Sequence, residues 1–326
     1  MSKTLPQASA RAALLAAGVT DAEIRADLHA GRRIRMARGV YLDADRLVDL
    51  DQNAREVVRV RAAALQSPGL VLSHRSAAAA HGLPLLATAA HAVHFTRPGS
   101  GGSRTTTAKK VHVSRLPDHD RMTIGGLQLT TVARTLFDMG RTDSLQATVV
   151  AADAALQRGL IDGPSMRRVL AEHPSTAGRP SAIRALRLAD GRSESPGETL
   201  TRLALAHPEI PHLELQPEIH DERGTFVGRT DGAIPECGVL LEFDGRSKYT
   251  SLLRPGQSVS DVVLAEKGRE ERLSERGWLV IRVIWADLAR PQAFADRVLR
   301  ACGNRRRPVA AFGLRGSIRT TPPVRF

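Results

Sequence analysis

Three carboxylates in the second half of the chain have the types and spacing of a divalent-metal site. Asp231 lies in one apolar-rich run and Glu242 and Asp244 end the next, with a Pro/Gly turn between the runs. This pattern predicts a β-hairpin in which Glu242 and Asp244 share a face and Asp231 sits beside Glu242. Clustered negative charges are costly unless a shared proton or a cation relieves them, and hard oxygen ligands suit Mg²⁺. The hairpin therefore predicts a Mg²⁺ site formed by Asp231 and Glu242.

The elements around this hairpin have an α-β-β-β-α-β order. Ser195-Pro-Gly-Glu198 has the pattern of a helix start, in which Glu198 completes a capping box and can also face the carboxylates. Apolar periodicity predicts a further strand before the hairpin and, after it, an amphipathic helix, a strand and a last helix. The predicted segments are 196–207, 213–219, 225–243, 259–276, 278–284 and 287–301.

The N-terminal segment carries clustered arginines on a predicted helix-turn-helix and hairpin. Thr20 and Glu23 form a capping box that opens a helix, and a short hairpin follows over residues 33–42. This outline is that of a winged helix-turn-helix, in which the helix enters the major groove and arginines hold phosphates. The candidate DNA-binding residues are Arg25, Arg32, Arg33, Arg35 and Arg38. A small helical cap with a solvated basic turn is the alternative interpretation.

Residues 49–175 alternate helical patterns with short strands, which predicts a small α/β domain with a helical extension. His74 and His81 are seven residues apart and share a helix face, but no third ligand is near in sequence. We therefore interpret them as buried or backbone-bonded rather than as metal ligands. Arg134 and Asp138 are four residues apart, which predicts a surface ion pair.

The overall composition favours a polyanionic partner and a reducing compartment. The net charge is +13, which indicates nucleic acid, and the two cysteines stand alone, which argues against a zinc finger or a disulfide scaffold. No apolar run reaches the roughly 18 residues of a membrane span, so we expect a cytoplasmic protein without a membrane partner. The predicted domains are 1–48, 49–175 and 192–303, followed by a disordered basic tail at 304–326. The fold class is α+β multidomain.

Residues 8–160 resemble the AbiEi family of type IV toxin–antitoxin antitoxins. The matching motifs are Arg38-Gly39-Val40-Tyr41, then Ser73-His74 with Ser76-Ala77-Ala78 and His81-Gly82-Leu83, then Thr131 with Arg134-Thr135-Leu136 and Asp138. The resemblance implies a winged-helix domain that binds operator DNA. It also implies a second domain that supports autoregulation and neutralises a cognate toxin, with a nucleotidyltransferase as the possible toxin.

Residues 193–290 resemble PD-(D/E)xK nucleases, most closely the branch of very-short-patch-repair (Vsr) endonucleases. The residues on which this resemblance rests are Asp231, Glu242-Phe243-Asp244-Gly245 and Glu198, together with Lys267, Arg269-Glu270, Leu273 and Gly277-Trp278. The resemblance implies a restriction-endonuclease-like αβββαβ core in which Asp231 and Glu242 hold Mg²⁺, whose bound water attacks a phosphodiester. Asp244 stands where the usual signature has lysine, so Lys248, Lys267 or Arg269 must supply the missing cation. The candidate catalytic residues are Asp231, Glu242, Asp244, Lys248, Lys267 and Glu198.

The sequence is compatible with three functions. The chain is a DNA-binding regulator, a Mg²⁺-dependent endonuclease targeted by its N-terminal half, or a protein that sequesters a toxin. A nuclease fold that has lost catalysis and only binds nucleic acid or a partner is compatible with the first and the third.

Overall fold

A computed structural model describes residues 8–48, 50–87, 92–174, 176–245, 259–303 and 317–326, with backbone alone over 259–266. The chain is a mixed α/β protein that divides into two compact units. Met1–Ala155, Gly159–Ala189 and Phe326 form the first unit, and Leu156–Arg158 with Asp190–Arg325 form the second. Within the described part of the chain, every helix is too short or too polar to cross a bilayer.

The first unit begins with two helices and a three-stranded sheet. These elements are β1 (Ser9–Ala10), α1 (Arg11–Ala16), α2 (Asp21–His29), β2 (Arg33–Ala37) and β3 (Val40–Asp43), and the sheet order is β1-β3-β2. The predicted capping box at the start of α2 is confirmed, because Thr20 accepts from the Glu23 backbone and Glu23 bonds back to Thr20. Ile24 on α2 and Leu42 on β3 are among the buried residues of this part.

The rest of the first unit is built on a six-stranded mixed sheet in the order β6-β7-β5-β4-β9-β8. Its strands are β4 (Val71–Leu72), β5 (Val93–Pro98), β6 (Arg104–Thr105), β7 (Lys109–Ser114), β8 (Arg121–Ile124) and β9 (Leu127–Thr130), with a 3-10 turn at Asp118–Asp120. The helices are α3 (Asp45–Val48), α4 (Gln52–Leu65), α5 (His74–Ala80), α6 (Val132–Thr142), α7 (Leu145–Gln157), α8 (Gly163–Glu172) and α9 (Arg179–Arg187). The core between helices and sheet includes Val60, Leu72 and Phe95, which are fully buried.

The Arg134–Asp138 pair on α6 is buried, so the prediction of a surface ion pair is wrong. Arg134 is 1% exposed and Asp138 is fully buried. The Arg134 guanidinium donates to Asp138 at 2.9 Å and to Asp120 at 3.3 Å, and also to the Arg115 carbonyl and the Ser114 hydroxyl. The spacing of four residues is the same on the outer and inner faces of a helix, so it could not distinguish the two.

The second unit is built on two small sheets. Its helices are α10 (Pro196–Ala204), α11 (Val259–Glu275), α12 (Trp285–Leu288) and α13 (Pro291–Gly303). Its strands are β10 (Glu214–Leu215), β11 (Glu218–His220), β12 (Phe226–Arg229), β13 (Gly232–Ile234), β14 (Val239–Phe243), β15 (Leu279–Val283) and β16 (Ser317–Arg319), with a 3-10 turn at Pro235–Cys237. The sheet orders are β10-β13-β14-β15 and β12-β11-β16, and β15 runs parallel to β14.

Two strands that the sequence predicts as continuous are each divided between these sheets. The predicted strand 213–219 breaks at Gln216 into β10 and β11, and the predicted strand 225–234 breaks at Asp231 into β12 and β13. Gln216 has a φ of +51°, a left-handed conformation that non-glycine residues rarely adopt, and its N–H donates to the Asp231 carbonyl. Asp231 therefore lies at the switch between two sheets, and not within a strand as predicted.

Residues 317–325 belong to the second unit and begin with a strand, whereas the sequence predicts a disordered tail over 304–326. β16 pairs antiparallel with β11, and Ile318 packs against a buried cluster that includes Ile219 and Trp278. The Arg192 guanidinium donates to the Thr321 carbonyl at 2.9 Å. Sheet pairing and apolar contact stabilise this segment, although its local sequence has no periodicity. Residues 304–316 of the predicted tail lie outside the described residues.

Candidate functional site

Two acids come together at the strand switch of the second unit. Glu198 on α10 and Asp231 line one small cavity of about 10 Å³, whose other walls include Leu213, Leu241 and Phe243. Glu198 is 7% exposed, and burial, followed by the negative charge of Asp231, raises its pKa from 4.5 to about 7. An acid that is half protonated near neutral pH can carry a proton or, when ionised, offer oxygens to a cation.

The orientation of Glu198 is fixed by hydrogen bonds from two directions. Ser195 caps α10 as predicted, accepting from the Glu198 N–H. The Glu198 carboxylate accepts from the Ser195 hydroxyl at 2.7 Å and from the Glu194 N–H at 2.8 Å. Gln216, at the strand switch, donates its side-chain N–H to the same carboxylate at 2.8 Å. The predicted capping box is therefore formed only on the Ser195 side, with the Glu198 carboxylate bonded to the Glu194 N–H instead of the Ser195 N–H, and Glu198 lies beside Asp231.

Phe243 sets the distance between α10 and β14. A Cβ on Gly197 would lie 2.2 Å from the Phe243 ring, so glycine is needed for α10 to approach this closely. The Phe243 N–H donates to the Asp231 carboxylate at 2.7 Å, which holds that side chain at the end of β14. The strand, the helix and the sheet switch therefore position Glu198 and Asp231 jointly.

The other predicted catalytic residues are placed differently. Glu242 is ion-paired with Arg269 of α11 at 2.7 Å. The side chain of Asp244 is half-buried, and its backbone N–H donates to the Val283 carbonyl. Lys267 is exposed on α11, and Lys248 lies outside the described residues. Of the two helical cations considered for the missing lysine position, Arg269 contacts Glu242.

The predicted Mg²⁺ ligands Asp231 and Glu242 are placed differently. Asp231 lines the cavity together with Glu198 and Arg202, whereas the Glu242 carboxylate contacts the Arg269 guanidinium. Among the described residues, the groups of three possible metal donors within 4.8 Å lie in the first unit: His74, His94 and His112, and His119, Asp120 and Glu172. The Asp120 carboxylate of the second group is engaged by Arg134 and His173.

The sequence predicts that His74 and His81 are buried or backbone-bonded histidines, and the structure agrees with this for both residues but adds further contacts at His74. The His81 ring nitrogen is 2.8 Å from the Thr130 carbonyl, so the backbone-bonded interpretation is confirmed for His81. His74 is buried as expected, but it meets two histidines from the sheet, His94 on β5 and His112 on β7. Sequence reasoning missed these two because they approach His74 only through the fold. Their alternation on neighbouring predicted strands was the signal that was available.

The five predicted DNA-binding arginines fall into two classes. Arg32 bonds to Asp27 at 2.8 Å, and Arg33, whose side chain is 13% exposed, lies between Asp27 and Asp43 at 3.6 and 3.4 Å. These two arginines join α2 to the hairpin. Arg25, Arg35 and Arg38 are exposed and form no salt bridge with the described residues.

Comparison with known proteins gives distant relatives. Two proteins of Mycobacterium tuberculosis, the uncharacterized protein Rv2248 of strain H37Rv and the uncharacterized protein MT2308 of strain CDC 1551, are each 28% identical to this chain over 210 residues. Each match covers 64% of this chain and 73% of the relative. No family model matches the chain. The names of these relatives assign them no function.

Proposed function

We propose that this protein binds DNA through its N-terminal segment and acts as a transcriptional regulator of the AbiEi type. The observation that supports this most is the exposed trio Arg25, Arg35 and Arg38, located on α2 and on the β2–β3 hairpin. Neighbouring arginines form ion pairs within the protein, as Arg11 does with Asp21. Arg25, Arg35 and Arg38 can contact phosphate without first breaking an internal ion pair, so no free energy of binding is spent on breaking one.

The distribution of ion pairs makes this proposal specific. Each phosphate of double-stranded DNA that a protein neutralises releases condensed counterions, and this release favours binding. Arginines whose charge faces solvent are best placed to neutralise phosphates. Arg33 does not meet this condition, because its guanidinium is largely covered and lies between two carboxylates. We therefore assign phosphate contact to Arg25, Arg35 and Arg38, and a positioning role to Arg32 and Arg33.

Binding of a labelled duplex from upstream of the protein's own gene tests this assignment. We expect the triple variant Arg25→Ala/Arg35→Ala/Arg38→Ala to lose affinity at least tenfold. Arg46→Ala is the matched control, since it removes an exposed arginine that is paired with Asp43 at 3.7 Å. Equal affinity of the triple variant and the wild type would refute DNA binding by this surface. A loss of log affinity in the control equal to one third of the loss in the triple variant would attribute binding to net charge alone, because the two proteins differ threefold in the charge removed.

The second unit supports a second candidate function, a Mg²⁺-dependent DNA endonuclease. Its support is the joint placement of Glu198 and Asp231 at the strand switch, together with an element order that follows α-β-β-β-α-β when the divided strands β10/β11 and β12/β13 are each counted as one. These two carboxylates would hold the ion, which when bound supplies a nucleophilic water and offsets charge on the phosphate. Arg269 beside Glu242 would supply positive charge near a bound phosphate.

Plasmid nicking with Mg²⁺ or Mn²⁺, compared with EDTA, tests this candidate. We expect activity that disappears in Asp231→Asn and Glu198→Gln and that persists in Glu236→Gln, a control on the turn after β13. Nicking that is equal in both site variants and in the wild type would assign the activity to another site or to a contaminant. DNA binding by the first unit is measured separately, so the two candidates fail independently.

A further inference from the structure

Three histidines from separate elements of the first unit converge away from the sites described so far. His74 is the first residue of α5, His94 lies on β5 and His112 on β7. The ring centroids of His74 and His112 are 3.8 Å apart with an interplanar angle of 16°, and His94 lies 5.4 and 5.2 Å from the other two rings. One donor nitrogen from each ring falls within 4.8 Å of the others.

The polar atoms of this cluster are incompletely satisfied. His74 is 2% exposed; its Nδ1 is 2.9 Å from the Ser73 hydroxyl, while its Nε2 is buried without a hydrogen-bond partner among the described residues. An unpaired buried polar atom in a folded protein calls for an explanation, such as an ion or a water. His74 also has a φ of +52°, so the backbone is held in an uncommon conformation that aims this ring at the sheet.

We propose that His74, His94 and His112 form a binding site for a divalent transition-metal ion of the Zn²⁺ class. His94 Nδ1 and His112 Nε2 are 3.3 Å apart, which is about the separation of two nitrogens bound to one tetrahedral ion at roughly 2.0–2.1 Å each. The unpartnered His74 Nε2 supplies the third nitrogen. Imidazole nitrogens suit Zn²⁺, Co²⁺, Ni²⁺ and Cu²⁺, and not Mg²⁺.

The cluster has one shared proton to release and a route by which an ion can reach it. His94 Nδ1 and His112 Nε2 share a hydrogen bond, so release of its proton frees both nitrogens to bind an ion. His94 also lines a polar cavity of about 80 Å³, through which an ion can approach the cluster.

Most of the surrounding cations already have carboxylate partners, which limits their repulsion of a bound ion. Arg75 pairs with Asp143 at 3.2 Å, and Arg59 pairs with Glu56 at 2.6 Å. Arg134 and Arg141 both pair with Asp138. Lys110 is the remaining cation that acts on His94 and His112.

Titration of the purified, metal-free full chain with Co²⁺ and Zn²⁺ tests the site through the visible absorption bands of Co²⁺ and through calorimetry. We expect one equivalent bound, with affinity at least tenfold lower in His94→Gln and in His112→Gln. His29→Gln, which changes an exposed histidine of α2, leaves this affinity unchanged. A tenfold excess of Mg²⁺ does not displace the ion.

One further variant and a check of folding complete the test. His119→Gln alters the other three-donor group, so loss of the bound equivalent in this variant, and not in His94→Gln, would overturn the proposal. Absence of binding by the wild type would also overturn it. Because the buried His74 is held in a strained backbone, His74→Gln can unfold the chain. The partly exposed His112 therefore carries the test, with circular dichroism confirming that each variant is folded.

Discussion

The buried guanidinium of Arg134 should be among the most important single side chains for the stability of the first unit. Arg134→Met removes its bonds to Asp138 and Asp120 and leaves both carboxylates, each fully buried, with fewer partners. Removing one partner of a buried ion pair typically costs about 3–5 kcal/mol, because the remaining charge stays desolvated. That loss is a large part of the roughly 5–15 kcal/mol that stabilises a typical domain.

Urea unfolding of the full chain, followed by circular dichroism, measures this loss. For a unit of this size, about 4 kcal/mol also corresponds to a drop of roughly 10 °C in melting temperature. Arg168→Met is the matched control: Arg168 reaches the same Asp120 at 3.4 Å, but its side chain is 37% exposed. We expect this control to cost under about 1 kcal/mol.

The outcome separates a buried network from an ordinary ion pair. Arg134→Met with Asp138→Asn should cost less than the sum of the two single changes, because the second change removes the charge that the first leaves unpaired. A loss below about 1 kcal/mol in Arg134→Met, equal to that in Arg168→Met, would refute the reasoning.

Two further predictions concern the acidic site. Because the folded-state pKa of Glu198 is raised from 4.5 to about 7, the folded chain holds a proton that the unfolded chain releases; stability should fall by about 3 kcal/mol as the pH rises through this window. Glu198→Gln should abolish that slope, and an unchanged slope in urea-unfolding curves would contradict the assignment. Gly197→Ala places a Cβ against the Phe243 ring and should cost about 1–3 kcal/mol of unfolding free energy. Gly303→Ala, which meets open space at the end of α13, should cost nothing, and equal effects would contradict the packing argument.

Local signals in the sequence predicted local structure well. The capping box of Thr20 and Glu23 and the N-cap of Ser195 each satisfy backbone donors within one turn, so their effect does not depend on the rest of the fold. The turn before β14 is equally local, because proline and glycine restrict the chain there. The mixed α/β class followed from the alternation of such segments.

Features that depend on distant partners were not predictable in the same way. The strand break at Gln216 comes directly before Pro217, in a segment whose apolar residues alternate like those of one strand, and the Gln216 N–H donates to the carbonyl of Asp231 at the matching break. β16 forms because β11 offers an edge about 100 residues earlier in the chain. The other two histidines of the His74 cluster, His94 and His112, belong to β5 and β7, so no spacing along the chain connects them to His74.

Which of the five predicted DNA-binding arginines are ion-paired also depends on residues distant in the sequence. Five arginines look equivalent in sequence, but the fold pairs Arg32 and Arg33 with carboxylates and leaves three others facing solvent. Asp27 and Asp43 decide this distribution, and they are brought together only when α2 packs against the hairpin.

The salt dependence of DNA binding tests the central claim most directly. Affinity for one duplex is measured by fluorescence anisotropy over a series of salt concentrations, for the wild type and for the Arg25→Ala/Arg35→Ala/Arg38→Ala variant. Each lost phosphate contact lowers the slope of log affinity against log salt by about 0.9, so the account predicts a slope smaller by roughly 2–3 in the variant. Parallel lines for the two proteins would contradict it.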